Sequence, residues 1–268
     1  MRRHLSLYLF FARQTIRGEL ALRASFITGV IGQWLYYGGT YLSLYIMVTN
    51  FHTLGGWNNY EVMVFFAFTT LSYAMAATVF YTPCRSLANR VRTGEFDEAL
   101  TKPIDPLWYE VNKGFNFGYI GHTILSIVIL CISLPKTHFV CTFWNMALFL
   151  IMLIGSAFLQ AALLLFSSMF IFFTVGDNPI VALFTRSMKQ FVDYPISIYS
   201  ITIQVILTFV LPYAFLNFYP VGIILSKAST FSFPTIIAYL SPCINVGLFY
   251  VSLKAWKWAL TYYQSSGT

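Results

Sequence analysis

The chain has 268 residues, of which 58% are hydrophobic and only 9% charged, and its mean hydropathy is +0.69. Ordinary soluble domains carry roughly 25% charged residues, so this composition excludes a water-soluble globule and points to an integral membrane protein. The net charge of +7 comes from basic residues dispersed along the chain rather than gathered on one face, which excludes nucleic acid as a partner.

At the N-terminus Arg2 and Arg3, followed by Leu5 to Ala12, imitate a signal peptide, but no small-residue cleavage site follows. Arg13, Gln14, Arg17 and Glu19 resume at once. Leu5, Tyr8, Leu9, Ala12, Ile16 and Leu20 fall roughly along one helical face, with Arg13 and Arg17 one turn apart on another. The pattern predicts an amphipathic helix lying on the inner leaflet; a charged flank that serves topology alone is the alternative.

A spanning helix needs about 20 predominantly apolar residues. Windows of that kind lie near 24–48, 62–83, 114–134, 144–173, 197–216 and 235–256. They predict an all-α integral membrane fold of six transmembrane helices, occupying residues 1–268 as a single transmembrane domain. Runs such as Ile124 to Leu134 and Met146 to Phe173 are apolar on every face, which argues for helices over barrel strands. Gly29 and Gly32, then Gly38 and Gly39, permit close helix approach in the first window.

Between the second and third windows lies the chain's most polar stretch, residues 94–106, which holds Glu95, Asp97, Glu98 and Asp105, four of only nine acidic residues. Gly94 permits a sharp turn, and Pro103 and Pro106 stiffen the exit. The stretch reads as a surface shown to water or to a soluble partner; a plain polar turn between two spans is the alternative. A second mixed stretch, from Asp177 to Pro195 with Arg186 and Lys189, reads as a cytoplasmic connection. From Pro212 to Pro234 the connection is too apolar for a solvated loop, predicting short re-entrant helices between spans five and six. Its cluster of Tyr213, Phe215, Phe218 and Tyr219 fits an interfacial belt or an aromatic-lined path.

With the N-terminus inside, the basic residues sort 14 on cytoplasmic segments and two, Lys136 and Lys227, outside, out of 16. This positive-inside asymmetry predicts cytoplasmic N- and C-termini in a cell membrane and an attraction to anionic lipid.

Chemistry is narrowed by elimination. Four cysteines and four histidines show no metal-ligand spacing, so no metal site is expected; Cys131 and Cys141 flank a short outer loop and their pairing stays open. His122 and Ser126 sit one turn apart without a third orienting group. Proton- or ion-coupled transport needs charge near the midplane, and Glu61 and Glu110 lie only at window edges. No GxxxxGK[ST] is present, so the chain binds no ATP in the Walker manner. Energy for uphill transport would have to arrive from another subunit.

The run Arg92-Thr93-Gly94-Glu95-Phe96-Asp97-Glu98-Ala99-Leu100-Thr101-Lys102-Pro103-Ile104-Asp105-Pro106-Leu107 resembles the cytoplasmic signature of the type-2 ATP-binding-cassette permeases, in their six-span exporter group. Tyr194-Pro195-Ile196-Ser197-Ile198-Tyr199, Phe209 through Phe215 with Pro212, Tyr219-Pro220, and the ending from Trp256 to Gly267 are similar to that group's fifth span, outer region and C-terminus. The resemblance covers the whole chain in order. It implies half of a dimeric exporter, paired with an identical or sister permease and powered by separately encoded ATPase subunits that hold the ATP and Mg. It further implies that Gly94, Glu95, Phe96, Asp97, Glu98, Leu100, Lys102, Pro103 and Pro106 contact the ATPase, with Asp97 and Glu98 pairing with its basic groups and Phe96 and Leu100 as apolar anchors. Arg13 and Arg17 mark the interfacial helix, and Pro212, Tyr213, Phe215, Tyr219 and Pro220 the outer region. Neutral, aromatic-rich spans suit an amphipathic, lipid-like, peptide or drug-like cargo in a bacterial membrane. A secondary transporter or channel without an ATPase is the alternative reading.

Overall fold

A computed structural model describes residues 2–51, 53–174 and 193–265, with backbone alone for 2–9 and 51. The expected cytoplasmic connection from Asp177 to Pro195 lies outside the described residues except for its last three, and Arg186 and Lys189 fall outside them. The described helices are α1 (Arg2–Ala21), α2 (Arg23–Phe51), α3 (Asn59–Arg92), α4 (Asp97–Leu100), α5 (Pro106–Lys113), α6 (Ile120–Ser133), α7 (Phe143–Met169), α8 (Ile201–Val205), α9 (Phe218–Ile224), α10 (Thr235–Tyr239) and α11 (Ser241–Leu260). No strand occurs among the described residues.

Three of the described segments are long and apolar enough to cross a membrane: Asn59–Arg92, Phe117–Lys136 and Phe143–Phe172. Ile201–Val210 and Pro212–Ile224 add a fourth only if they form one broken span, since they meet at 73°. The expected six spans therefore divide. α2, at 29 residues, and α11, at 20, reach the length with less apolar sequence, because glycines, tyrosines and hydroxyl residues interrupt α2 and Lys254 and Lys257 enter α11.

α3 begins with a capping box: the Asn58 side chain accepts from the Glu61 N–H at 3.0 Å, and the Asn58 N–H donates to Glu61 Oε2 at 2.8 Å. Thr69, Thr70, Ser72, Ser167 and Ser168 donate their hydroxyls to carbonyls three or four residues back, so these polar groups sit inside apolar helices already satisfied. α7 is the central post and packs against α3 and α11, while α6 packs against α3. At Gly155 of α7 an added Cβ would lie 2.8 Å from the Pro242 Cα; glycine lets α7 and α11 touch backbone to backbone.

The apolar interior forms two main bodies. One joins α2, the Asn59 end of α3, α7 and residues 207–225, with Trp57, Phe65, Phe68, Phe218 and Tyr219 among its fully buried rings. The other gathers the Arg92 end of α3 with α4, α5, the end of α7 and α11 around Phe96 and Trp256. The two bodies place the acidic stretch and the aromatic segment over residues 207–225 at opposite ends of α3.

Candidate functional site

The acidic stretch starts where α3 stops. Gly94 has φ +73°, a left-handed conformation open to glycine and costly for other residues. The turn closes through the Phe96 N–H donating to the Arg90 carbonyl at 3.1 Å. Phe96 is then driven inward and fully buried, with ring centroids 5.1 Å from Tyr263 and 5.6 Å from Phe172. The expectation that Phe96 anchors a partner is corrected by this burial: it anchors α4 to the end of α7 and to α11. Leu100 and, one element on, Trp108 are the exposed large apolar groups of the stretch, at 44% and 40%.

The acidic residues are engaged within the chain. Asp97 accepts from the Tyr263 hydroxyl at 2.9 Å and from the Ser265 hydroxyl at 2.6 Å, so the C-terminal segment is tied to the stretch. Glu98 accepts from the Tyr109 hydroxyl at 2.7 Å and lies 3.4 Å from Lys113 Nζ and 3.5 Å from Lys102 Nζ. The Tyr109 hydrogen bond, and then Lys113, hold the Glu98 carboxyl down at about 2. Asp105 caps α5 by accepting from the Leu107 N–H at 3.1 Å, and pairs with Lys257 at 2.5 Å. Pairing of Asp97 and Glu98 with basic groups on another subunit would thus have to displace these contacts.

Beneath the stretch Arg90 pairs with Glu110, whose side chain is almost fully buried, and lies 3.8 Å from Glu95. Burial raises the Glu110 carboxyl above its usual range although Arg90 opposes the rise. Lys102 and Pro103 are exposed beside Leu100, and Pro106 opens α5. α1 packs against α5, with Arg13 and Arg17 exposed. The buried side chains of the stretch reach α3, the end of α7 and α11. Only the Glu98 and Lys102 pair, four residues apart, was legible as a contact. Tyr109, Lys113, Tyr263 and Lys257 were missed because no local spacing joins them to the stretch.

At the other end of α3, Tyr213, Phe215, Tyr219 and Pro220 are buried and Pro212 is half-buried. The chain turns sharply at Leu211 and Pro212 after a wide helical turn over Ile206–Val210. The Asn217 side chain donates to the Thr69 hydroxyl at 2.7 Å, and the Asn245 side chain donates to the Phe215 carbonyl at 3.0 Å, fixing the segment to α3 and α11. The Tyr219 ring meets the Phe231 ring edge to face at 5.3 Å, and its hydroxyl shares a hydrogen bond with Thr208 at 3.2 Å. The aromatic cluster is packed on itself. All four cysteines are free, Cys131 and Cys141 included. His122 lies 4.4 Å from the Tyr37 ring and 5.1 Å from the Tyr119 ring.

An all-helical chain with several apolar, membrane-length helices, and polar contacts gathered at their ends, has the build of a membrane-embedded transport subunit. The family model described as ABC-2 family transporter protein matches residues 34–267, and the chain belongs to that family. Searches among curated proteins and among solved structures each gave no match.

Proposed function

We propose that the chain is the permease subunit of an ATP-driven exporter, with ATP and Mg held on separate ATPase subunits that dock on the face around Leu100 and Trp108. The observation that carries the reading is the construction of that face. Leu100 on α4 and Trp108 on α5 are exposed apolar side chains, Glu95, Glu98 and Lys102 belong to the same stretch, and its buried Phe96 is continuous with α3, α7 and α11. A push on α4 and α5 would move three long helices together. Family membership supports an ATPase partner, since permeases of this kind work with one.

The second permease, identical or sister, would pack on α2. Ile27, Ile31, Leu35, Leu42 and Ile46 are exposed there, and an added Cβ at Gly32, Gly38 or Gly39 meets nothing within 4 Å, so the face is apolar and uncovered by the described residues. Both termini are read as cytoplasmic, the residue 212–234 segment as re-entrant in the outer leaflet, and the cargo as amphipathic.

The test is reconstitution with the ATPase that co-purifies from the native membrane. Asp97→Lys should lower transport-linked ATP hydrolysis while membrane insertion is retained. Equal coupling in that variant would count against the docking face, and absence of any Walker-motif protein in the pull-down would favour a secondary transporter or channel.

A further inference from the structure

Where α1 runs into α2 the structure holds a cleft of 280 Å³, lined by Glu19, Ser25, Phe26, Gly29, Val30 and Gln33 among others. Leu22, Phe26, Gly29 and Gln33 recur every three or four residues, so they share one face of the helix. The Phe26 ring lies parallel to Phe117, 5.5 Å away at 13°, and makes an aromatic wall. Gly29 faces open space, since an added Cβ meets nothing within 4 Å.

The polar groups of this cleft are all at its two ends and lack partners. Among the described residues the Glu19 carboxylate forms no ion pair, although Arg17 and Arg23 are near in sequence, and partial burial alone raises its pKa. At the far end Gln33 Oε1 is buried without a hydrogen bond. It abuts Gly121, where an added Cβ would come within 2.5 Å of it. A buried acceptor left unpaired is costly, so a ligand that brings a donor to each end recovers stabilisation that the chain alone lacks.

We propose that the cleft binds an amphipathic amine whose apolar body carries a second N–H or O–H donor. The ammonium group sits at Glu19, the apolar body follows Phe26 and Val30, and the distal donor takes Gln33 Oε1 once the terminal amide turns from Gly121 into the cleft. The rise from Leu22 to Gln33 is about 16 Å at 1.5 Å per residue, a length matched by a chain of about twelve carbons. Such chemistry could come from a bilayer lipid with a primary ammonium head or from a diffusible amine taken as cargo.

The probe is 12-aminododecan-1-ol, measured by native mass spectrometry on the purified full chain in detergent. Dodecylamine lacks the distal donor, and 12-hydroxydodecanoic acid reverses the charge at the head. The amino alcohol should bind one-to-one, about tenfold tighter than either comparison compound, as expected for one charge-assisted or one buried hydrogen bond. Glu19→Gln and Gln33→Leu should each erase one tenfold step, and Gly29→Leu, which fills the cleft without meeting the fold, should abolish binding. Thermal unfolding of each variant checks that the fold is kept. Equal binding of the hydroxy acid, or binding unchanged in Glu19→Gln and Gly29→Leu, overturns the site. Displacement of the probe by phosphatidylethanolamine but not phosphatidylcholine in nanodiscs identifies the lipid source; binding that neither lipid displaces identifies the diffusible amine. No ATPase enters the measurement, so its outcome is separable from that of the permease reading.

Discussion

Lys227 Nζ lies 2.9 Å from Glu61 Oε2, joining the segment after α9 to the first turn of α3, and it also donates to the Gly56 carbonyl at 3.1 Å. The Glu61 side chain is 2% exposed, so removing Lys227 leaves a buried carboxylate without a counter-charge. Lys227→Met should therefore cost about 3 kcal/mol. Adding Glu61→Gln should restore most of it, because the neutral amide still accepts from the Asn58 N–H. Denaturant unfolding of the single and double variants in detergent reads both values; equal stability of Lys227→Met and the unaltered protein would sink the idea.

Tyr263→Phe removes one of the two donors to Asp97 and should cost about 1.5 kcal/mol, a charge-assisted hydrogen bond. The expected signs are faster proteolysis after Trp258 and weaker coupling to the ATPase, with Phe96 still buried. Burial, reinforced by Asp97, pushes the Tyr263 phenol up to about 12. A raised folded-state pKa means the contact is fully present below the unfolded value near 10 and is lost as pH rises through about 12. Ultraviolet titration of the phenolate checks this.

Glu98 makes the opposite case. Its folded-state value is depressed to about 2 from 4.5, so the contribution is present above pH 4.5 and lost as pH falls toward 2. Between pH 5 and 8 the clasp on Tyr109 and Lys113 should be constant. In a carbon-detected titration of the Glu98 carboxyl, Tyr109→Phe should move the midpoint upward; an unmoved midpoint would show that the tyrosine is not the main cause.

Gly155→Val would place side-chain atoms where Pro242 already lies. Overpacking of this kind costs about 1–3 kcal/mol, and backbone contact leaves little room to relax. A lowered unfolding midpoint is the expected result, while Gly247→Ala, at an exposed helical position with no atom within 4 Å, should keep it or raise it slightly, since alanine suits a helix interior better than glycine.

The long helices were legible because residues 62–83, 114–134 and 144–173 are predominantly apolar and free of charge, and a chain in lipid has few ways to satisfy its backbone other than helix. The break near Leu211 was marked by Pro212, and the short helices that follow by Pro220 and Pro234. The boundary between α10 and α11 at Leu240 was not legible inside the 235–256 window, since Pro242 sits in a first helical turn where proline is tolerated. The candidate site was legible as a polar island and illegible as a clasp. Phe96 looked like a surface anchor because its neighbours are charged, yet its environment is made by Phe172, Trp256 and Tyr263, which lie 76 to 167 positions further along.

The tie between Asp97 and the Tyr263 and Ser265 hydroxyls has a practical corollary. Ser265 itself lies against α4 through Asp97, so an affinity tag or fluorescent fusion attached at this end is a reagent brought near the very surface under test. Purification handles belong elsewhere on this chain, and a C-terminal tag that uncouples the complex would itself be a measurement of where the ATPase sits.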